Sequence, residues 1–232
     1  MSTIVIISDL HLASDVCRSR EILDFLSSID DTTKMLILNG DVMDNLNFNR
    51  LSKDHWKILK KLRSMSKWMD VVWIKGNHDT DNAVVIAHLL GIDFKHQLEL
   101  AIGNKNALVV HGDKFDVFMK KRPITSKIAD YIYRLIQSYD KWIRNDFYYS
   151  SLVKSKSKVL IRCGRVIENA ITYAAHSGYD IIICGHTHLP DYLTNSSGSV
   201  EYYNSGSWTD KQCTYITIDG DQIKVETYEK QV

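Results

Sequence analysis

Short apolar runs recur along the chain, and many of them end in a cluster of polar residues. Thr3–Ile7 is apolar and β-branched, the pattern of a buried strand. Residues 18–28 carry Ile22, Leu23 and Leu26 at helical spacing. Residues 35–38 and 71–74 are two further apolar strands, and residues 51–65 form an amphipathic helix with Leu51, His55, Ile58, Leu59 and Leu62 on one side. Ala83–Leu90 reads as a short helix. The pattern then changes to a hairpin, Leu98–Ile102 with 107–110 joined through residues 103–106. A long helical stretch over residues 114–177 follows, then a strand at 180–184. The tail is β, with strands at 200–203, 213–218 and Gln222–Thr227, the last two turning around Asp219-Gly220.

Strands alternating with helices predict a layered α/β core whose helices cover the sheet faces. A chain of 232 residues with 44% hydrophobic and 25% charged residues can bury one large domain. One domain over residues 1–232 is expected, with residues 114–177 as a helical cap inserted in it. Two prolines and 11 glycines leave no room for long flexible linkers. The first apolar run is too short for a signal sequence, and no uncharged apolar stretch reaches membrane-spanning length. Cys17, Cys163, Cys184 and Cys213 show no CxxC pairing, which suits a reducing compartment. The expected location is therefore cytoplasmic.

Charge adds an asymmetry. Residues 118–165 hold 12 Lys or Arg against Asp130, Asp140 and Asp146, a net +9 in a chain whose total is +1. Residues 124–144 place Lys127, Arg134 and Lys141 on one face and an apolar stripe on another, and residues 158–177 repeat the arrangement with Lys158, Arg162 and Arg165. A solvated helical hairpin explains the apolar faces, but such a surface ordinarily mixes signs. The near-absence of acids points to an anionic partner: substrate phosphates, bound by Lys154, Lys158 and Arg162, and an anionic membrane surface. Nucleic acid ranks lower, because the body is acidic and no helix-turn-helix, RRM or zinc-knuckle pattern is present.

Five polar stretches follow strands: Asp9-Leu10-His11, Gly40-Asp41-Val42-Met43-Asp44, Gly76-Asn77-His78-Asp79, His111-Gly112-Asp113 and Gly185-His186-Thr187-His188. Singly, each reads as a turn or cap. Together they bring Asp, Asn and His to the strand ends where open α/β sheets build sites. Such residues do not sit buried without partners. Imidazole and carboxylate without thiolate suit Mn, Fe, Zn or Co rather than a closed structural zinc site. Two divalent cations held side by side can activate a water and clamp a phosphoryl oxygen.

The ordered set resembles the calcineurin-like metallophosphoesterase superfamily from Ile4 to about Trp208. The resemblance implies a two-sheet β-sandwich flanked by helices and two divalent metal ions, Mn²⁺ first. One metal would take Asp9, His11 and His188, the other Asn77, His111 and His186, with Asp41 bridging. His78 would act on the scissile phosphate, as electrostatic stabiliser or general acid, and Asp44 and Asp79 would orient ligands. His111-Gly112-Asp113-Lys114-Phe115-Asp116, the basic insertion and Tyr202-Tyr203-Asn204-Ser205-Gly206-Ser207-Trp208 look like the branch of UDP-2,3-diacylglucosamine pyrophosphohydrolases of lipid A biosynthesis. That branch implies a lipid-linked nucleotide diphosphate substrate, UMP and a lipid monophosphate as products, and a helical lid at the inner membrane face. The chain departs from it at His78, where the characterised enzymes have Arg. The alternative is a phosphodiesterase or phosphatase on a soluble nucleotide or nucleic-acid substrate. A non-catalytic binding module is a third reading, disfavoured by the complete ligand set.

Overall fold

The computed structural model describes residues 3–117, 135, 136, 139, 157–194 and 198–229. Eleven strands form two sheets among these residues. The first sheet has the order β11-β10-β1-β2-β3-β4, with β1 Thr3–Ile7, β2 Thr33–Asn39, β3 Asp70–Ile74, β4 Asp93–Lys95, β10 Thr214–Asp219 and β11 Gln222–Thr227. Neighbours from β1 to β4 are parallel, and the β10–β11 hairpin adds antiparallel to β1. The second sheet has the order β5-β6-β7-β9-β8, with β5 Leu98–Ile102, β6 Lys105–Val109, β7 Ile181–Cys184, β8 Asp191–Thr194 and β9 Glu201–Asn204. Its centre, β6-β7-β9, is parallel, and its edges β5 and β8 are antiparallel.

Strand alternation sorts the core into layers. Ile6, Ile37, Val72 and Ile74 of the first sheet meet Val109, Ile181, Ile183 and Tyr203 of the second. The opposite face of the first sheet, with Val5, Ile7, Leu36, Leu38 and Trp73, is covered by helices α1 Ser19–Ser28, α2 Lys53–Met65 and α3 Ala83–Leu90. The outer face of the second sheet, with Leu108, Ile182 and Tyr202, takes Val166, Ala170 and Ala174 of helix α4 Ser157–Ser177. The architecture is thus two sheets flanked by helices.

Differences from the sequence pattern have local causes. The β5–β6 turn is tighter than the pattern suggests, because Lys105 and Asn106 pair with Ile102 and Ala101. β4 and β8 escape notice because Asp93, Lys95, Asp191 and Thr194 give edge strands no apolar run. Ser52 caps α2, its hydroxyl accepting from His55 N–H at 3.2 Å while His55 Nδ1 accepts from Ser52 N–H at 3.2 Å. The described end of the expected cap, α4, lies against the second sheet through its apolar face. Most of residues 118–156, including Lys154, lie outside the described residues, as do the side chains of Lys158 and Arg162. No helix among the described residues is long and apolar enough to cross a membrane.

Candidate metal centre

The loops after β1, β2, β3, β6 and β7 converge at one edge of the two sheets. Backbone bonds stitch the first two together: Asp9 N–H to Gly40 O at 3.0 Å, His11 N–H to Asp41 O at 3.0 Å and Asp44 N–H to Leu12 O at 2.8 Å. Gly185 N–H donates to His111 O at 2.9 Å within the second sheet, and Trp208 N–H to Asp9 O at 3.1 Å joins that sheet to the first. Asp9, His11, Asp41, His186 and His188 all have positive φ, between 47° and 65°. Non-glycine residues held there cost roughly 1–3 kcal/mol each and gather at functional sites. Ala13 is the one other such residue among those described.

Two glycines explain the tightness. A Cβ on Gly40, whose φ is 85°, would overlap the His111 ring, and one on Gly76 would overlap the Asp41 amide and carboxylate. The Gly-Asp and Gly-Asn-His motifs therefore carry glycine because each loop must press against a residue of another motif.

The side chains form three overlapping groups: Asp9 with His11 and His188, His11 with Asp41 and His78, and Asp9 with Asp41 and His111, the ligand atoms of each lying within 4.8 Å of one another. Asp41 Oδ1 accepts from His78 N–H at 2.8 Å, which leaves Oδ2 facing His111 Nε2 at 3.3 Å and His11 Nε2 at 3.8 Å. Asp9 divides its oxygens likewise. Oδ2 accepts from His186 N–H at 3.1 Å, and Oδ1 faces His188 Nε2 at 3.0 Å. Asp9 Oδ1, His11 Nε2 and His111 Nε2 are buried with no hydrogen-bond partner among the described residues. Buried ligating atoms aimed at one another and left unsatisfied fit a divalent cation.

The imidazole orientations follow from what the second ring nitrogen does. His111 Nδ1–H donates to Asn39 O at 2.9 Å, so Nε2 is its ligating atom. His11 Nδ1 makes no hydrogen bond among the described residues but faces Asp44 Oδ1 at 3.4 Å, while Nε2 faces both Asp41 Oδ2 at 3.8 Å and Asp9 Oδ1 at 3.9 Å and is the ligating atom. His186 is reversed: its Nε2 meets Asp116 Oδ2 at 3.3 Å, which leaves Nδ1. Its ring packs edge-on to His111 at 5.3 Å. Asn77 sits between Gly76 and His78 on the β3 loop and is exposed.

His78 is the more open of the imidazoles facing Asp44, with its side chain 20% exposed against 8% for His11. Its Nδ1–H donates to Asp44 O at 3.2 Å, which frees Nε2 for a substrate. Asp44 thus steadies both His11 and His78. Asp79 works on the backbone: it accepts from Met43 N–H, Gly76 N–H and Trp73 Nε1–H, each at 3.0 Å, tying the β2 loop to the β3 loop. Burial, and after it the charge of Asp41, pushes the Asp79 carboxyl above its ordinary value.

Charges inside the cluster oppose burial. Burial alone would raise the Asp9 carboxyl, but the His188 and His111 imidazoles outweigh it and hold it below the carboxylate range. For Asp41, burial is likewise outweighed by His111, His78 and His11. Burial would lower His111, yet Asp41 and Asp9 raise it well above its ordinary value. Without cations, the acids hold a proton on an imidazole that must release it to ligate.

The sequence pattern names Asp116 only within the stretch 111–116 and Asn204 only within 202–208, yet both brace the site. Asn204 Nδ2 donates to Gly185 O at 2.7 Å and Thr187 Oγ1 at 3.1 Å, fixing the loop that carries His186 and His188. Its burial was the available signal, since it follows the apolar pair Tyr202-Tyr203. Asp116, 2% exposed, stands five residues after His111 in the Lys-Phe-Asp segment, and nothing in the spacing marks it.

Fold and site together define a two-sheet α/β protein that gathers carboxylates and imidazoles for divalent metals at its strand ends. The profile described as calcineurin-like phosphoesterase matches residues 2–190, and the chain belongs to that family of metal-dependent hydrolases. The fold is similar to that of an archaeal phosphodiesterase at 15% identity, covering 97% of this chain and 99% of that one, with a TM-score of 0.52. It is also similar to Vps29 of Chaetomium thermophilum, at 12% identity over 98% and 97% of the two chains and a TM-score of 0.51. Vps29 of Entamoeba histolytica, complexed with Zn²⁺, matches at 14% identity over 97% and 98%, with a TM-score of 0.50. No curated protein matches the chain.

Proposed function

We propose that the chain is a dinuclear-metal pyrophosphohydrolase acting on a lipid-linked nucleotide diphosphate such as UDP-2,3-diacylglucosamine, releasing UMP and a lipid monophosphate at the cytoplasmic face of a membrane. The observation that carries the dinuclear site is the placement of Asp41 Oδ2, buried between His111 Nε2 and His11 Nε2. Asp9, His11 and His188 would hold one ion, Asn77, His111 and His186 the other, and Asp41 both. Mn²⁺ is the first candidate, with Fe, Zn or Co also suited to the donors. Bound there, such cations supply Lewis acidity toward the phosphoryl oxygens and an activated water.

The chain's own residues do the remainder. The Asp9 and Asp41 carboxylates are kept ionised and hydrogen-bonded in place, so the cradle is preformed. His78 Nε2, freed by the Nδ1–H bond to Asp44 O, donates to the phosphoryl group and gives its proton to the leaving oxygen. Lys154, Lys158 and Arg162, within a segment of net +9, meet the substrate phosphates and the anionic lipid surface. The lipid assignment is supported by the sequence resemblance around residues 111–116 and 202–208.

His78 itself favours a second reading. Where that branch has a bidentate, permanently charged Arg, this chain has a proton donor, which suits a poorer leaving group in a soluble phosphodiester. Incubating the metal-free protein with UDP-2,3-diacylglucosamine, with and without Mn²⁺, and following UMP tests both. Metal-dependent UMP release is the expected result. No release, with metal-dependent cleavage of a generic phosphodiester, would replace the first reading by the second.

A further inference from the structure

On the turn that follows the β2 loop and on the start of α2 lies an exposed aromatic pair that the mechanism leaves unused. Phe48 and Trp56 are 48% and 51% exposed, with rings 22° from parallel and centroids 6.5 Å apart. That spacing is near the far end of the range for aromatic pairs, and about half of each residue's surface is left exposed.

The pair is held rather than loose. Phe48 opens a single 3-10 turn, Phe48–Arg50, capped by Asn47, whose side chain accepts from Asn49 N–H at 3.2 Å. Asn45 Oδ1 accepts from Asn47 N–H at 2.9 Å, and Asn45 Nδ2 donates to Asp44 Oδ2 at 2.9 Å. Consecutive carboxamides thus brace the loop back to Asp44. Trp56 follows His55, whose Nδ1 also accepts from Ala13 N–H of the β1 loop at 3.4 Å.

The surface also adjoins the site. Arg50, ending the same turn, faces Asp44 Oδ2 at 3.8 Å and Asp15 Oδ2 at 3.6 Å. Asp44 in turn faces His78 and His11. Phe48 stands four positions after Asp44, a span of at most about 14 Å of chain. The stretch from Asp44, which faces His78, to Trp56 on α2 therefore carries a guanidinium, exposed carboxamides and two half-exposed aromatic rings.

We propose that Phe48 and Trp56 form the base-binding shelf of the substrate site, stacking the nucleobase whose phosphates lie in the cradle. This rests on the reading of the substrate as a nucleotide diphosphate. A flat heterocycle with polar edges fits two rings set among Asn45, Asn47 and Asn49, whereas an acyl chain would need apolar walls. Stacking on aromatic faces tolerates different bases, so the shelf sets nucleotide over non-nucleotide preference more than one base over another.

Calorimetry on the Mn²⁺-loaded protein with UMP and with ribose 5-phosphate tests the shelf. The protein should bind UMP about tenfold or more tightly than ribose 5-phosphate. Trp56→Ala and Phe48→Leu should bring that ratio toward one, while Trp56→Phe, which keeps a flat ring, should retain most of it. A ratio near one in the unaltered protein, or a ratio unmoved by Trp56→Ala and Phe48→Leu, overturns the shelf. UMP release from UDP-2,3-diacylglucosamine by the same preparations judges the substrate reading separately: release without base preference rejects the shelf alone, and no release rejects the reading on which it rests.

Discussion

The two sheets contribute unlike halves to the metal cradle. The loops of the first sheet hold their side chains through carboxylates: Asp44 faces His11 and His78, and Asp79 binds two loops through backbone N–H groups. The loops of the second sheet lean on other elements: His111 on the Asn39 carbonyl, His186 on Asp116, and the His186–His188 loop on Asn204. Asp41 belongs to the first half and reaches the second, and Asp9 does the same through His186 and His188. The lesson is that the first half is braced by carboxylates within its own sheet, whereas the second takes one brace across the sheets, at His111, and its others, Asp116 and Asn204, from its own sheet.

That contrast can be broken at its joint. Asp41→Ala removes the carboxylate shared by two groups, so both metal ions should be lost and turnover should fall to background, read by elemental analysis beside a rate assay. His78→Ala should lower kcat by about 10²–10⁴-fold while metal content stays intact, because the ring acts on the leaving group. Loss of metal in that variant would make His78 a ligand instead. Asp116→Asn should weaken metal affinity by roughly 10–100-fold, since His186 loses the group that sets its ring. An effect on kcat with unchanged metal affinity would place Asp116 elsewhere in the mechanism. Gly76→Ala should destabilise by about 1–3 kcal/mol through overlap with Asp41, seen as a lower unfolding midpoint.

The pH dependence of the metal-free protein follows from the same charges. Asp9 and Asp41 are depressed, so their stabilisation is present above the ordinary carboxylate pKa and lost as pH falls through their lowered values. His111 is raised, so its stabilisation is complete below about pH 6.5 and lost as pH rises through its elevated value. Metal ions compete with the His111 proton. Mn²⁺ should therefore bind more tightly as pH rises from 6 to 8, releasing protons that a calorimeter registers as buffer-dependent heat. Binding that is independent of pH and buffer would contradict the charge state assigned to His111.

Much of the fold was legible because strand and helix periods are local. Thr3–Ile7, Ala83–Leu90 and Gln222–Thr227 have the same bounds in pattern and in structure. β4 and β8 were not legible, since edge strands need no apolar run. At the site, the Asp, Asn and His motifs were readable as a set, because so many ligating residues after strands make a poor core. Their positive φ angles were not, since left-handed backbone at Asp9 or His188 is imposed by the crossing of loops. Asp116 stayed hidden for a related reason: it acts on His186, 70 residues away in sequence, and a single chain carries no mark of that pairing.

The most direct test of the dinuclear site is anomalous diffraction at the manganese edge from crystals soaked in Mn²⁺. Two peaks are expected flanking Asp41, one beside Asp9, His11 and His188, the other beside His111, with Nδ1 of His186 turned toward it. A single peak, or peaks away from Asp41, would contradict the dinuclear site.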